Sequence, residues 1–89
     1  MSTKRASVGE AHHHVYIVIC ADQSYYVGCT NNLDNRLERH QKGQVKSTAY
    51  RLPVELVTYI TFNNKYSAFN FEKYLKSGSG RAFMNKRLI

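Results

Sequence analysis

Five side chains have the types that phosphodiester chemistry needs: Tyr16, Tyr26, Arg36, His40 and Glu72. A guanidinium matches two phosphate oxygens with its planar fork. A carboxylate suits a hard divalent ion such as Mg²⁺, which keeps several waters and takes one or two protein ligands. A third group must accept a proton from the attacking water. Tyrosine is an unusual base, with an ordinary pKa of about 10; histidine titrates closer to neutrality. Residue types alone leave the choice among Tyr16, Tyr26 and His40 open. The positions of Arg36 and Glu72 are what single them out. Each falls where helix patterning predicts burial, and an isolated buried charge costs on the order of several kcal/mol. Each therefore needs a partner or a cleft. The purely structural alternative is that they pair with each other and hold two helices against a sheet.

The elements that must position these groups follow from the local pattern. Residues 1–13 are polar, basic and aperiodic, and read as a disordered tail. Val15–Cys20 is a continuous apolar, β-branched run, expected to be a strand covered on both faces. Asp22-Gln23-Ser24 is a turn, and Tyr25–Cys29 the return strand of a hairpin. Gly28, near its end, predicts a bulge or a close approach of backbone to another group. A helix over 33–41 follows, capped by Thr30, Asn31 or Asn32 and ended by Gly43. At about 100° per residue, Leu33, Leu37 and His40 share one face, flanked by Arg36.

Residues 42–53 read as a polar loop that ends extended, because Leu52 precedes Pro53. Its Lys42, Lys46 and Arg51, with Ser47, Thr48 and Tyr50, have phosphate-contacting side chains; a merely solvated loop is the alternative. Lys76 and Arg81 extend the same candidate nucleic-acid surface. A third strand is expected over 55–62. A helix over about 68–76 follows, capped by Ser67 and ended by Gly78, with Ala68, Phe71 and Leu75 inward and Glu72 on their edge. A last helix is expected over 81–88. The order β-β-α-β-α-α gives a small α/β domain over 14–89: a three-stranded, mostly antiparallel sheet flanked by helices.

The sequence carries a formal net charge of +7 and a pI of about 9.7. That balance favours a polyanionic partner, DNA or else RNA, over a membrane, because no basic amphipathic helix is present. Two cysteines without metal-type spacing, no run long enough for a bilayer and no secretion signal lead to the expectation of a cytoplasmic protein.

Five segments resemble, in order, the motifs of the GIY-YIG nuclease superfamily, and in particular its small stand-alone members. Val15-Tyr16-Ile17 and Tyr26-Val27-Gly28 resemble the paired motif, with the tyrosines ten residues apart. Residues 32–40 resemble the arginine helix with its histidine one turn later. Arg51-Leu52-Pro53 resembles the lead-in to the third strand, Phe71-Glu72-Lys73 the metal-binding glutamate helix, and 75–83 the ending of the small members. The resemblance implies endonucleolytic cleavage of DNA, branched or damaged DNA included, using Mg²⁺ or Mn²⁺. Glu72 would hold the metal and Arg36 the scissile phosphate. Tyr16 and Tyr26 would position or activate water, with His40 as an alternative base and Asn85 as a further candidate. It departs from the motif at His14, which stands where the first motif has glycine. No added DNA-binding domain is apparent, so specificity would come from the basic surface, a protein partner or substrate shape. A non-catalytic nucleic-acid-binding module on the same fold is the second reading.

Overall fold

A computed structural model describes residues 12–89. Residues 1–11, most of the expected tail, lie outside the described residues. His13, grouped with the tail by its composition, is instead the first residue of β1 (His13–Cys20). β2 (Tyr25–Thr30), α1 (Leu33–Gln41), β3 (Val54–Phe62), α2 (Lys65–Leu75) and α3 (Gly78–Arg87) complete the order β-β-α-β-α-α. The sheet has the order β2-β1-β3, and both pairings are antiparallel.

β1 is central, and this explains its unbroken apolar run. Val15 and Ile17 pack with Val27, Ala68, Leu75 and Met84 on the face covered by α2 and α3. Tyr16, Val18 and Cys20 pack with Val54, Leu33, Leu37 and Leu56 on the face covered by α1. Burying each large aliphatic side chain stabilises the fold by about 1.5–3 kcal/mol relative to leaving it exposed. Cys20 and Cys29 are both free thiols.

In β3 a register shift separates Ile17↔Thr58 from Val18↔Leu56, so Val57 is the extra residue of a bulge. The bulge reverses the alternation. Leu56, Tyr59 and Thr61 thus share the Tyr16 face, whereas Thr58, Ile60 and Phe62 share the Ile17 face.

Local chemistry sets the helix limits. Asn32 caps α1 by accepting from the Asn35 amide at 3.1 Å, and Gly43 follows the helix with φ 73°. Two expectations need correction. The cap of α2 is Asn64, not Ser67: its side chain accepts from the Ser67 amide at 2.8 Å, which starts the helix three residues earlier. Gly78 does not terminate α2. It is the first residue of α3, because Ser77 caps that helix through the Gly80 amide at 3.1 Å. Gly80 lies against the end of α2, where a Cβ would overlap the Tyr74 carbonyl. That close approach fixes the sharp corner between α2 and α3.

Candidate active site

The register of the β1–β2 pair sets the tyrosines. Tyr16 is opposite Gly28, and Val18 is opposite Tyr26. Both phenols therefore project from the same face. The close approach expected at Gly28 is to Tyr16: any Cβ at position 28 would overlap the phenol. The glycine is what lets the ring lie flat across the neighbouring strand. α1 then delivers Arg36 and His40, one turn apart, onto these rings. The His40 ring centroid lies 5.6 Å from that of Tyr16 and 5.3 Å from that of Tyr26, both edge-to-face. The two tyrosine rings are 6.2 Å apart.

A chain of hydrogen bonds runs inward from Arg36. Its Nε donates to Tyr16 Oη at 3.1 Å. Tyr16 Oη is 2.8 Å from His40 Nε2, and His40 Nδ1 is 2.8 Å from Thr48 Oγ1. Thr48 Oγ1 also lies a long 3.4 Å from the Val45 carbonyl. The proton positions follow from the chemistry of the two ends. The Val45 carbonyl only accepts, so the Thr48 hydroxyl donates to it and offers a lone pair to His40 Nδ1. Nδ1 then carries the imidazole hydrogen, and Nε2 is bare and accepts from the Tyr16 hydroxyl. Tyr16, His40 and Thr48 are each 0% exposed. Their polar atoms are nevertheless satisfied, and no buried side-chain nitrogen or oxygen among the described residues lacks a partner.

The electrostatics match this enclosure. Burial pushes the Tyr16 phenol up to about 12; the Arg36 hydrogen bond opposes that rise, and Tyr26 and Glu72 add to it. Burial, reinforced by the charges of Arg36 and Arg39, lowers the pKa of His40. The bond to Tyr16 raises that of Arg36, against its own partial desolvation. Cys29 is pushed up by burial and by Glu72. Glu72, on α2, thus acts on groups of β1 and β2 from the side opposite α1. It is half-buried, and its Oε2 is 3.0 Å from Lys76 Nζ. Among the described residues no ion pair joins Arg36 to Glu72; the purely structural pairing does not form. Lys76 Nζ also lies 5.9 Å from the Tyr26 ring centroid.

Tyr16, Tyr26, Arg36 and His40 therefore converge, in two layers, and Glu72 is linked to them through Lys76, which reaches both its carboxylate and the Tyr26 ring. Tyr16 and His40 are enclosed, whereas Tyr26, Arg36 and Glu72 are only partly buried. His40 has no free ring nitrogen with which to meet water. Glu72 is a lone carboxylate: no group of three His, Cys, Asp or Glu side chains able to hold a metal occurs among the described residues. That donor set does not suit zinc. It does suit Mg²⁺ or Mn²⁺ completed by water and substrate phosphate.

The basic residues divide. Lys42 pairs with Glu38 at 3.0 Å on the outer face of α1. Arg51 donates to the Ser47 carbonyl and, through Nη1, to Ser24 Oγ at 2.6 Å, tying the loop to the hairpin turn. Lys46 and Arg81 are exposed. Arg81, Lys76, Asn85, Tyr25 and Tyr26 border a cleft of about 470 Å³ between β2 and α3. Thr48 belongs to the buried chain and not to the phosphate-facing loop surface. Its distance of eight residues from His40, across a turn, carries no periodic signal.

A sequence profile described as the GIY-YIG catalytic domain matches residues 12–87. A UPF0213 protein of Streptococcus pyogenes serotype M5 is 37% identical over 83 residues, covering 92% of this chain and 83% of that one. A UPF0213 protein of Pediococcus pentosaceus is 44% identical over 64 residues, covering 71% of this chain and 67% of its own length. The solution NMR structure of a UPF0213 protein from Bacillus halodurans superposes with a TM-score of 0.54 at 33% identity, covering 84% of this chain and 83% of that one.

Proposed function

The chain belongs to the GIY-YIG family, a nuclease superfamily, and from that premise we propose that it is a metal-dependent endonuclease hydrolysing DNA phosphodiester bonds in the cytoplasm. The observation that carries this reading is the chain Arg36–Tyr16–His40–Thr48, with Glu72 acting on the same phenol.

Arg36 spends only Nε on Tyr16. Its terminal nitrogens hold the scissile phosphate. The Glu72 carboxylate would hold Mg²⁺ or Mn²⁺, which would supply a Lewis acid for the water and the phosphate charge. Tyr26, partly exposed, positions the water. Tyr16, enclosed in the resting protein, takes the proton once bound DNA uncovers its oxygen: Arg36 stabilises that oxygen while the phenol's own hydrogen passes to the bare Nε2 of His40. A phenol held at about 12 is a poor base alone, and this inward transfer makes it usable. His40, its pKa lowered, then gives that hydrogen back to Tyr16 as the phenol passes the water's proton to the leaving oxygen.

The test is nicking of labelled duplex and branched DNA with Mg²⁺ or Mn²⁺. Glu72→Ala is expected to lose at least about a hundredfold in rate, the scale of a group acting in the transition state. Equal cutting by wild type and Glu72→Ala overturns the reading. One observation favours the second reading, a non-catalytic nucleic-acid-binding module: Glu72 is ion-paired to Lys76. That reading expects DNA binding, no cutting, and indifference of binding to Glu72→Ala. Any protein partner that supplies specificity would act through the same basic surface.

A further inference from the structure

The cleft between β2 and α3 adjoins the catalytic cluster but is not part of it. It shares Tyr26 and Lys76 with the cluster, whereas Tyr16, Arg36, His40 and Glu72 do not line it. It takes in Tyr25, Tyr26 and Val27, three successive residues of β2. Among the described residues β2 is an edge strand, bonded to β1 alone. Successive strand residues face opposite sides of a sheet, so the cleft runs along the free edge of β2 and leads directly to the phosphate-holding groups.

Its lining is chemically asymmetric. Leu75 and Met84 contribute an apolar floor. Tyr25, 40% exposed, presents a ring. Lys76, which also pairs with Glu72, and Arg81 supply two cations, and among the described residues no carboxylate lines the cleft. Asn85 adds both donors and an acceptor, the pattern that reads a base edge. At about 470 Å³ the cleft lies at the small-molecule end of binding sites. It admits a single nucleotide, not a base pair.

We propose that this cleft receives one unpaired nucleotide of the DNA strand next to the scissile phosphate. The base lies against Tyr25 over the Leu75–Met84 floor, and the flanking phosphate lies between Lys76 and Arg81. The site therefore selects positions where a strand leaves the duplex. The inference rests on the nuclease reading for the identity of the polymer only.

The experiment is fluorescence anisotropy with the full chain in EDTA, so that nothing is cut. It compares a blunt duplex, the same duplex with a single-stranded overhang, and that overhang with abasic sugars. Wild type is expected to bind the overhang about tenfold more tightly than the blunt or abasic DNA. Tyr25→Ala and Arg81→Ala, both at exposed positions, are each expected to shrink the ratio of overhang to blunt affinity by about five- to tenfold, the scale of one base stack removed. Equal wild-type affinity for the three DNAs overturns the proposal, whatever the variants do. So does a proportional loss on all three by both variants. Nicking with Mg²⁺ is read separately. Absence of the ratio in the wild type with intact Glu72-dependent nicking refutes the subsite alone, and a wild-type ratio without nicking refutes the nuclease reading alone.

Discussion

Thr48 shows how much of the site depends on a side chain that touches no substrate. Its oxygen holds the hydrogen of His40 on Nδ1 and so leaves Nε2 free to accept from Tyr16. Thr48→Val keeps the shape and removes the acceptor. The buried imidazole N–H is then unsatisfied, which costs about 1–3 kcal/mol. Urea unfolding should register that loss, and nicking should slow by about tenfold or more as the imidazole loses its fixed tautomer. A second expectation concerns pH. The folded pKa of His40 is lowered, so on acidification the unfolded chain takes up its proton first. The contribution of His40 to stability is complete above its ordinary value of about 6.5, declines as the pH falls below that, and levels off under the folded pKa. The melting temperature should drop on passing from about pH 8 to about pH 5, and His40→Asn should flatten that part of the profile. A profile unchanged by the substitution would contradict the burial argument. Arg36 is legible in the sequence because a cation on an apolar helix face breaks a pattern. Thr48 is not, because a polar residue in a polar loop breaks none.

At the scale of elements, two glycines carry close backbone approaches that no other residue permits. Gly28→Ala drives a methyl group into the Tyr16 phenol. Overpacking of this kind costs about 1–3 kcal/mol, and because the displaced ring is the one bonded to Arg36 and His40, nicking should fall further than the melting temperature suggests. Gly80→Ala meets the Tyr74 carbonyl, a backbone group that cannot rotate aside. It should be more destabilising than Gly28→Ala while disturbing the corner between α2 and α3, not the phenol. Thermal denaturation of the pair checks the order. The strands are legible from apolar runs, and the hairpin from its turn residues. The starts of α2 and α3 are not, for one shared reason. Asn64 and Ser67, like Ser77 and Gly78, are rival boundary residues three or fewer positions apart, and only the bonded amide distinguishes them. The bulge at Val57 leaves no mark, since Val57 is β-branched like Val54, Thr58 and Ile60 of the same strand.

For the whole molecule, the formal charge of +7 is spread over side chains with different duties. Lys42 and Arg51 are engaged within the protein, whereas Lys46 and Arg81 are exposed. DNA affinity should fall steeply with salt through release of counterions. Replacing both Lys46 and Arg81 by alanine should reduce the slope of log affinity against log salt by about 2, one unit for each phosphate that is no longer neutralised. Replacing Lys42 and Arg51 instead should change that slope much less. The order of elements and the central place of β1 can be inferred from the doubly apolar run of Val15–Cys20. The division of the cations cannot, because composition counts charges without saying which are already bonded to a neighbour.

The enclosure of Tyr16 and His40 has a consequence for observation. A phenolic or imidazole hydrogen open to water is usually lost to exchange before a magnetic resonance spectrum can record it. Here the Tyr16 hydroxyl hydrogen and the His40 Nδ1 hydrogen sit on atoms of residues with 0% exposure, each in a 2.8 Å bond. Both should give sharp, slowly exchanging proton signals well downfield of the amides. The resting Tyr16–His40 pair then carries its own reporter, and addition of DNA or a divalent ion should move those two lines before any bond is broken.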